Sequence, residues 1–424
     1  MRLGKRVGRS ARLSRRAGPF MAGPLLACSL LACSLLAASL LTGCGNFWQA
    51  PSTSSTTGTS GCTTDCSTAT SGSFYILNAG NTPQVVGESI DSGTLTSITG
   101  SPWTVSGTPY SMAVDPSGGF LIVSSTSGVF SYPITSGQLG TAVVVSSDQA
   151  YGVQVDSTSS WLIEAIPGTG GVTIGAVPID SATGVSAGTE QTVSFNITSA
   201  ALQTNRLVIS GDNKNIFVSL GAGGTLIVPF NASVASGVNP LSTKATTLPV
   251  IATSGSALSV AVDPGTTPRL FYVGETLASG GSTGGLRVFN YSSLGSSTLT
   301  QATGSPIASG GLAPNFILPA SGGAYVYVAN GTGTTSAGVI GGFTVTASTA
   351  ATPVYSIASL STIGTGVQPL AMAEDSSSTF VMEVGSLGSP YFTAYDFDST
   401  TLGQLDSQIV STTSTGSIAI VAVP

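Results

Sequence analysis

The feature that most constrains this chain is a recurring pair of short apolar runs joined by a polar turn. The clearest copy is "SMAVDPSGGFLIV" (Ser111–Val123); a looser one is "LSVAVDPGTTPRLFYV" (Leu258–Val273). Seven runs have the character of the first member: "SMAVD", "GVQVD", "RLVIS", "LSVAVD", "NFILP", "LAMAED" and "SIAIVAV". Seven more have that of the second: "FYIL", "FLIV", "WLIE", "IFVS", "LFYV", "YVYVAN" and "FVMEV". Val, Ile, Phe and Tyr dominate them, and Gly, Pro, Asp and Ser bound them, which is strand composition rather than helix composition.

The two series are offset. The chain opens with a second-type run at Phe74 and closes with a first-type run at Ser417. A ring of units closes naturally if the last strand completes the sheet that the first one opened, and closure removes exposed sheet edges. Third strands fit "LRVFNYS" (Leu286–Ser292), "IGGFTVT" (Ile340–Thr346) and "FTAYDFD" (Phe392–Asp398). Weaker outer strands fit "LTSIT" (Leu95–Thr99), "YSIAS" (Tyr355–Ser359) and "LDSQIV" (Leu405–Val410). Four strands per unit of roughly 40–55 residues is propeller spacing. The expected fold is therefore all-β: a seven-bladed β-propeller of four-stranded blades over residues 73–424, its ring closed by the C-terminal strand joining the N-terminal blade.

The first part of the chain has a different character. Of 12 Lys and Arg, seven lie within the first sixteen residues, and an apolar run, "FMAGPLLACSLLACSLLAASLL", follows from Phe20 to Leu41. A basic segment, an apolar segment and a small-residue exit are the parts of an export signal. Leu41-Thr42-Gly43-Cys44 resembles the lipobox of bacterial lipoproteins, which implies a signal peptide over 1–43, cleavage before Cys44 and lipidation of Cys44. An uncleaved transmembrane helix is the competing reading of the same run. Residues 44–72 are almost all Ser, Thr and Gly and read as a flexible tether. Cys62 and Cys66 within it could close a small disulfide loop in an oxidising compartment. The expectation is a lipid-anchored protein of the cell envelope, its membrane partner reached through that anchor.

Without the leader, Arg206, Lys214, Lys244, Arg269 and Arg287 face all 18 acids, a formal charge of −13. Such a surface repels phosphate backbones, so no nucleic-acid partner is expected. The chain holds no histidine, which excludes a conventional Ser-His-Asp triad. "GAGGT" (Gly221–Thr225) leads into no helix and does not read as a phosphate loop. No cofactor and no metal site is expected.

"GSPWTVSGTPYSMAVDPSGGFLIV" and "GSPIASGGLAPNFILPASGGAYVYVAN" resemble the repeats of lactonase-type propellers, related to bacterial 6-phosphogluconolactonases and to YVTN-repeat surface proteins. The resemblance spans nearly all of residues 73–424 and implies seven blades and lactone chemistry. Some relatives use a His with Arg and Glu in the central pocket; with no His here, no catalytic residue transfers.

The candidate residues divide by symmetry. Asp115, Asp156, Asp263 and Asp375 recur at the ends of first-type strands and read as turn-builders rather than as a carboxylate ring. Glu164 and Glu383 break the repeat, standing where other units carry apolar or small residues, and Glu275 ends its strand at a Gly/Ser loop. These three acids and Arg206 are the candidates for chemistry; Arg206 is the cation best suited to contact an anion near the ring axis, although a salt bridge to a nearby acid is the favoured reading. Tyr110, Tyr151 and Phe316 lie near first-strand entrances and could line the channel mouth. The function expected is a module binding a carbohydrate, small-molecule or protein ligand; the alternative is a lactonase-like hydrolase of a sugar lactone.

Overall fold

A computed structural model describes residues 72–424, apart from 92, 236, 281–282, 332–336, 388–390 and 412–415. Cys44, Cys62, Cys66, the leader and nearly all of the tether lie outside the described residues.

The seven strand pairs of the sequence are the inner two strands of seven antiparallel blades. Counting from the N-terminus, the second strands are Phe74–Asn78, Phe120–Ser125, Trp161–Gly168, Asn215–Ser219, Leu270–Glu275, Tyr325–Gly331 and Val381–Leu387. The innermost strands of blades 2 to 6 are Pro109–Val114, Gly152–Val155, Leu207–Ile209, Ala257–Val262 and Ala313–Ala320. Blade 1 takes its innermost strand from the far end of the chain: Ser417–Ala422 pairs with Phe74–Asn78 in antiparallel register, Ile420 opposite Ile76. The offset of the two series is thus the closure of the ring.

The second strands are continuous apolar runs because both of their faces are buried. Alternate residues of each strand enter different core layers. Phe74 and Ile76 pack toward blade 7, Tyr75 and Leu77 toward blade 2. The hydrophobic core is accordingly seven separate layers, one between each pair of consecutive blades. Outer strands such as Gln191–Asn196 alternate half-buried and exposed residues, as strands with one solvated face do.

One junction departs from expectation. "YSIAS" and "LAMAED" belong to a single strand, Tyr355–Glu374, that is outermost in blade 6 and innermost in blade 7. Val367 pairs with Ala337 on one side and Leu387 on the other. No turn interrupts it; the change of blade is absorbed by register shifts and by a left-handed Gln368 (φ 57°).

The Asp turns close the end of the ring where innermost strands finish. Asp156 accepts hydrogen bonds from the backbone N–H of Ser160 (2.8 Å) and Trp161 (2.7 Å) through one oxygen and of Thr158 (3.0 Å) through the other. Asp375 repeats this with Thr379, Phe380 and Ser377. Neighbouring turns then latch together: the Ser159 hydroxyl donates to Asp115 one blade back, and Asn213 Nδ2 donates to Asp156 at 3.0 Å. Asp263 is held differently, by Arg269 Nε (2.9 Å) and the Tyr272 hydroxyl (2.7 Å). These carboxylates are fully engaged in building the ring.

Candidate functional site

The innermost strands enclose a central channel of about 310 Å³, lined by residues of blades 1 to 6. Most of its wall is aliphatic. The polar side chains among its described lining residues are Gln154, Asn205, Arg206 and Ser259, with no carboxylate.

Arg206 stands at the entrance of the blade 4 inner strand, opposite in sense to the Asp turns. Its Nε donates to the Leu258 carbonyl (3.0 Å), Nη1 to the Asn205 carbonyl (2.8 Å) and Nη2 to the Leu370 carbonyl (3.1 Å). The guanidinium therefore bridges blades 4, 5 and 7, and it lies 5.5 Å from the ring centroid of Phe316 in blade 6. It is 9% exposed, and burial pulls its pKa down to about 10. None of the ion pairs among the described residues includes it. Carbonyl dipoles orient this cation, but its charge has no carboxylate to balance it.

Asn205, held in the left-handed region (φ 56°), ties the neighbouring mouth together. Its N–H donates to the Tyr151 carbonyl (2.7 Å), and its Oδ1 accepts from Ser111 (3.0 Å). Tyr110 and Tyr151 pack with ring centroids 4.5 Å apart beside it. Burial, and then the Tyr151 ring hydroxyl, raise the Tyr110 pKa.

The three singular acids occupy different blades. Glu275 is fully buried in an ion pair: its Oε1 accepts from Arg287 Nη1 at 2.6 Å, and its Oε2 from the Ile251 N–H at 2.9 Å. Arg287 also caps the Pro249 carbonyl (2.9 Å) and covers Phe289, 5.0 Å from its centroid. This pair fastens the loop before the blade 5 inner strand. Glu383 faces the layer between blades 6 and 7, in register with Met372 and Thr393, and neither carboxyl oxygen has a hydrogen-bond partner among the described residues. Burial pushes its pKa up to about 8.

Glu164 faces blade 2. Burial, followed by the nearby Glu190 charge, pushes its pKa up to about 8, against the lowering effect of the Ser146 hydroxyl bonded to it at 3.0 Å. Carboxylate oxygens of Asp148, Glu164 and Glu190 all lie within 4.8 Å of one another. Glu190 is likewise raised, by burial and by contact with Asp148. Asp148 and Glu190 carried no signal in the sequence. What brings Glu190 in is Gly175, cross-strand from Glu164: a Cβ there would stand 2.1 Å from Glu190 Oε1.

Known proteins supply the fold but no nearer relationship. No family model matches this chain, and no curated protein does. Among solved structures, the periplasmic gluconolactonase of Pseudomonas aeruginosa covers 84% of this chain with all of its own length, at 14% identity and a TM-score of 0.58. A Bacteroides fragilis protein described as a candidate 6-phosphogluconolactonase covers 82% of it with 97% of its own length, at 13% identity and a TM-score of 0.61. A Lactobacillus plantarum protein covers 83% with 99% of its own length, at 16% identity and a TM-score of 0.59. This chain has the fold of these proteins. At such identities the likeness carries architecture and leaves chemistry to the residues present.

Proposed function

We propose that this chain is an envelope lipoprotein whose propeller binds a small organic anion at the mouth of its central channel. The observation that carries the reading is Arg206: a buried guanidinium in a channel whose described lining contains no carboxylate. A guanidinium has five N–H donors, and three bonds to carbonyls leave room for an anion to complete the set. Phe316 on one side and the Tyr110–Tyr151 pair beside Asn205 offer flat apolar surface suited to a sugar-like carbon skeleton.

Isothermal titration of the purified full chain with gluconate, a carboxylate bearing hydroxyls, tests this directly. Binding by the wild type and at least a tenfold loss in Arg206→Met are expected. A wild type that binds no gluconate, or an Arg206→Met variant that binds it equally well, contradicts the reading.

The second reading is a lactonase-like hydrolase of a sugar lactone. The gluconolactonase among the fold's neighbours and the cation at the mouth favour it. Against it stands the wall itself: with no His in the chain and no acid in the described lining, no side chain there is suited to accept a proton from the attacking water. Gluconolactone should open no faster with the protein than without it. Acceleration that disappears in Glu164→Gln or Glu275→Gln would establish the hydrolase instead.

The anchor rests on Leu41-Thr42-Gly43-Cys44 after an apolar run. Cys44→Ser should release the protein from membranes and abolish lipid labelling. Retention without a label would argue for an uncleaved helix.

A further inference from the structure

We infer that Asp148, Glu164 and Glu190 form a calcium site that clamps blade 2 to blade 3. Three carboxylate oxygens converge within 4.8 Å of one another. An ion touching all three needs each pair no farther apart than twice its bond length, which for calcium is about 4.6–5.2 Å. Magnesium is usually held through one or two carboxylates and keeps most of its waters, so a cluster of three protein carboxylates suits calcium better. The donors are all oxygen, with neither imidazole nor thiolate to favour zinc or copper.

Glu164 is 0% exposed, and its Oε1 has no hydrogen-bond donor among the described residues. Its other oxygen is fixed by the Ser146 hydroxyl, which also accepts the Asp148 N–H at 3.1 Å. Ser146 therefore orients the Glu164 carboxyl and positions the Asp148 loop, and Oε1 is left without a donor. The buried Glu190 Oε1 is also unpartnered, held over Gly175 where any larger residue would collide with it. No Lys or Arg among the described residues forms an ion pair with any of the three.

Buried carboxylate oxygens without donors or a counter-charge are strongly disfavoured unless the group takes up a proton or a cation supplies what the protein omits, and a cation that engages all three carboxylates together displaces the proton. Asp148 and Glu190 are half-buried rather than buried, so the cluster opens to solvent on their side. An ion can enter there and keep several water ligands, as calcium does in sites with few protein donors. Ser146 belongs to the outer strand of blade 2, while Glu164 and Glu190 belong to blade 3. A bound ion would thus add a charged link between two blades already joined by an apolar layer and by the Ser146–Glu164 and Ser159–Asp115 hydrogen bonds.

The test is calcium binding by the chelator-stripped full chain, read by equilibrium dialysis and by thermal denaturation. One calcium per chain and a rise of about 2–6 °C in the melting midpoint at millimolar calcium are expected. Both should be lost in Glu164→Gln and in Asp148→Asn, the latter being a half-exposed position whose substitution leaves the core intact. Magnesium at equal concentration should give at most a small part of the shift. No calcium bound at about 10 mM, an undiminished shift in the variants, or equal binding of magnesium would each overturn the assignment.

Discussion

The two ends of the central channel use polar side chains in opposite ways. At the turn end, Asp115, Asp156 and Asp375 recur from blade to blade, and every one is surrounded by donors from its own turn or from the next blade. At the mouth, Arg206 occurs once, and its charge is met by carbonyl dipoles and the face of Phe316, with no ion pair among the described residues. Between the ends, Glu383 stands alone in its inter-blade layer and Glu164 sits beside Asp148 and Glu190, each with at least one unpartnered oxygen among the described residues. Repetition here marks construction, since each blade must turn the same way. Departure from repetition marks places where stability has been given up, and function is best sought there.

The largest effect expected from that contrast is a pH dependence centred on Glu383. Its carboxyl titrates near 8 when folded and near 4.5 when not, so across that window the folded state keeps a proton that the unfolded state has lost. Stability should fall as pH rises from 4.5 to 8, by about 1.4 kcal/mol per unit, and level off above. Glu383→Gln should remove Glu383's share of that slope, Glu164 keeping its own, and gain on the wild type by on the order of 4 kcal/mol at pH 8 in urea denaturation. Tyr395 and Thr393 are its polar neighbours and supply no counter-charge. Parallel stability–pH curves for the two proteins would remove Glu383 from the account.

Next in size is the turn. Asp156→Ala strands the N–H groups of Thr158, Ser160 and Trp161 and releases Asn213 from the adjacent blade. A loss of about 3 kcal/mol is expected by chemical denaturation, with gluconate affinity unchanged. Smallest is Phe316→Leu, which keeps an apolar wall but removes the ring facing Arg206. It should weaken gluconate binding by only about 0.5–1 kcal/mol. A greater loss of affinity from the turn variant than from the ring variant would reverse the assignment of the two ends.

What the sequence disclosed follows the same division. Second strands were legible because burial on both faces writes them as unbroken apolar runs, and the Asp turns were legible because they repeat. Outer strands such as Thr246–Leu248 and Ile307–Ala308 were not, being too short and too exposed to leave a pattern. The continuous strand Tyr355–Glu374 read as two because its halves serve different blades. Glu164 stood out as an acid in an apolar run, but its companions did not. Asp148 sits in a loop and Glu190 is drawn in only by the bare backbone of Gly175, a relation of register between strands rather than of spacing along the chain. Arg206 was legible through the scarcity of cations; its freedom from any carboxylate needed coordinates.

The most direct test of the central claim is the gluconate-induced shift in melting midpoint, measured side by side in wild type, Asp156→Asn and Arg206→Met. Asp156→Asn should melt lower than wild type yet show the full shift on adding gluconate. Arg206→Met should show none, whatever its own midpoint. A shift preserved in Arg206→Met and lost in Asp156→Asn would place the ligand at the turn end and contradict the account.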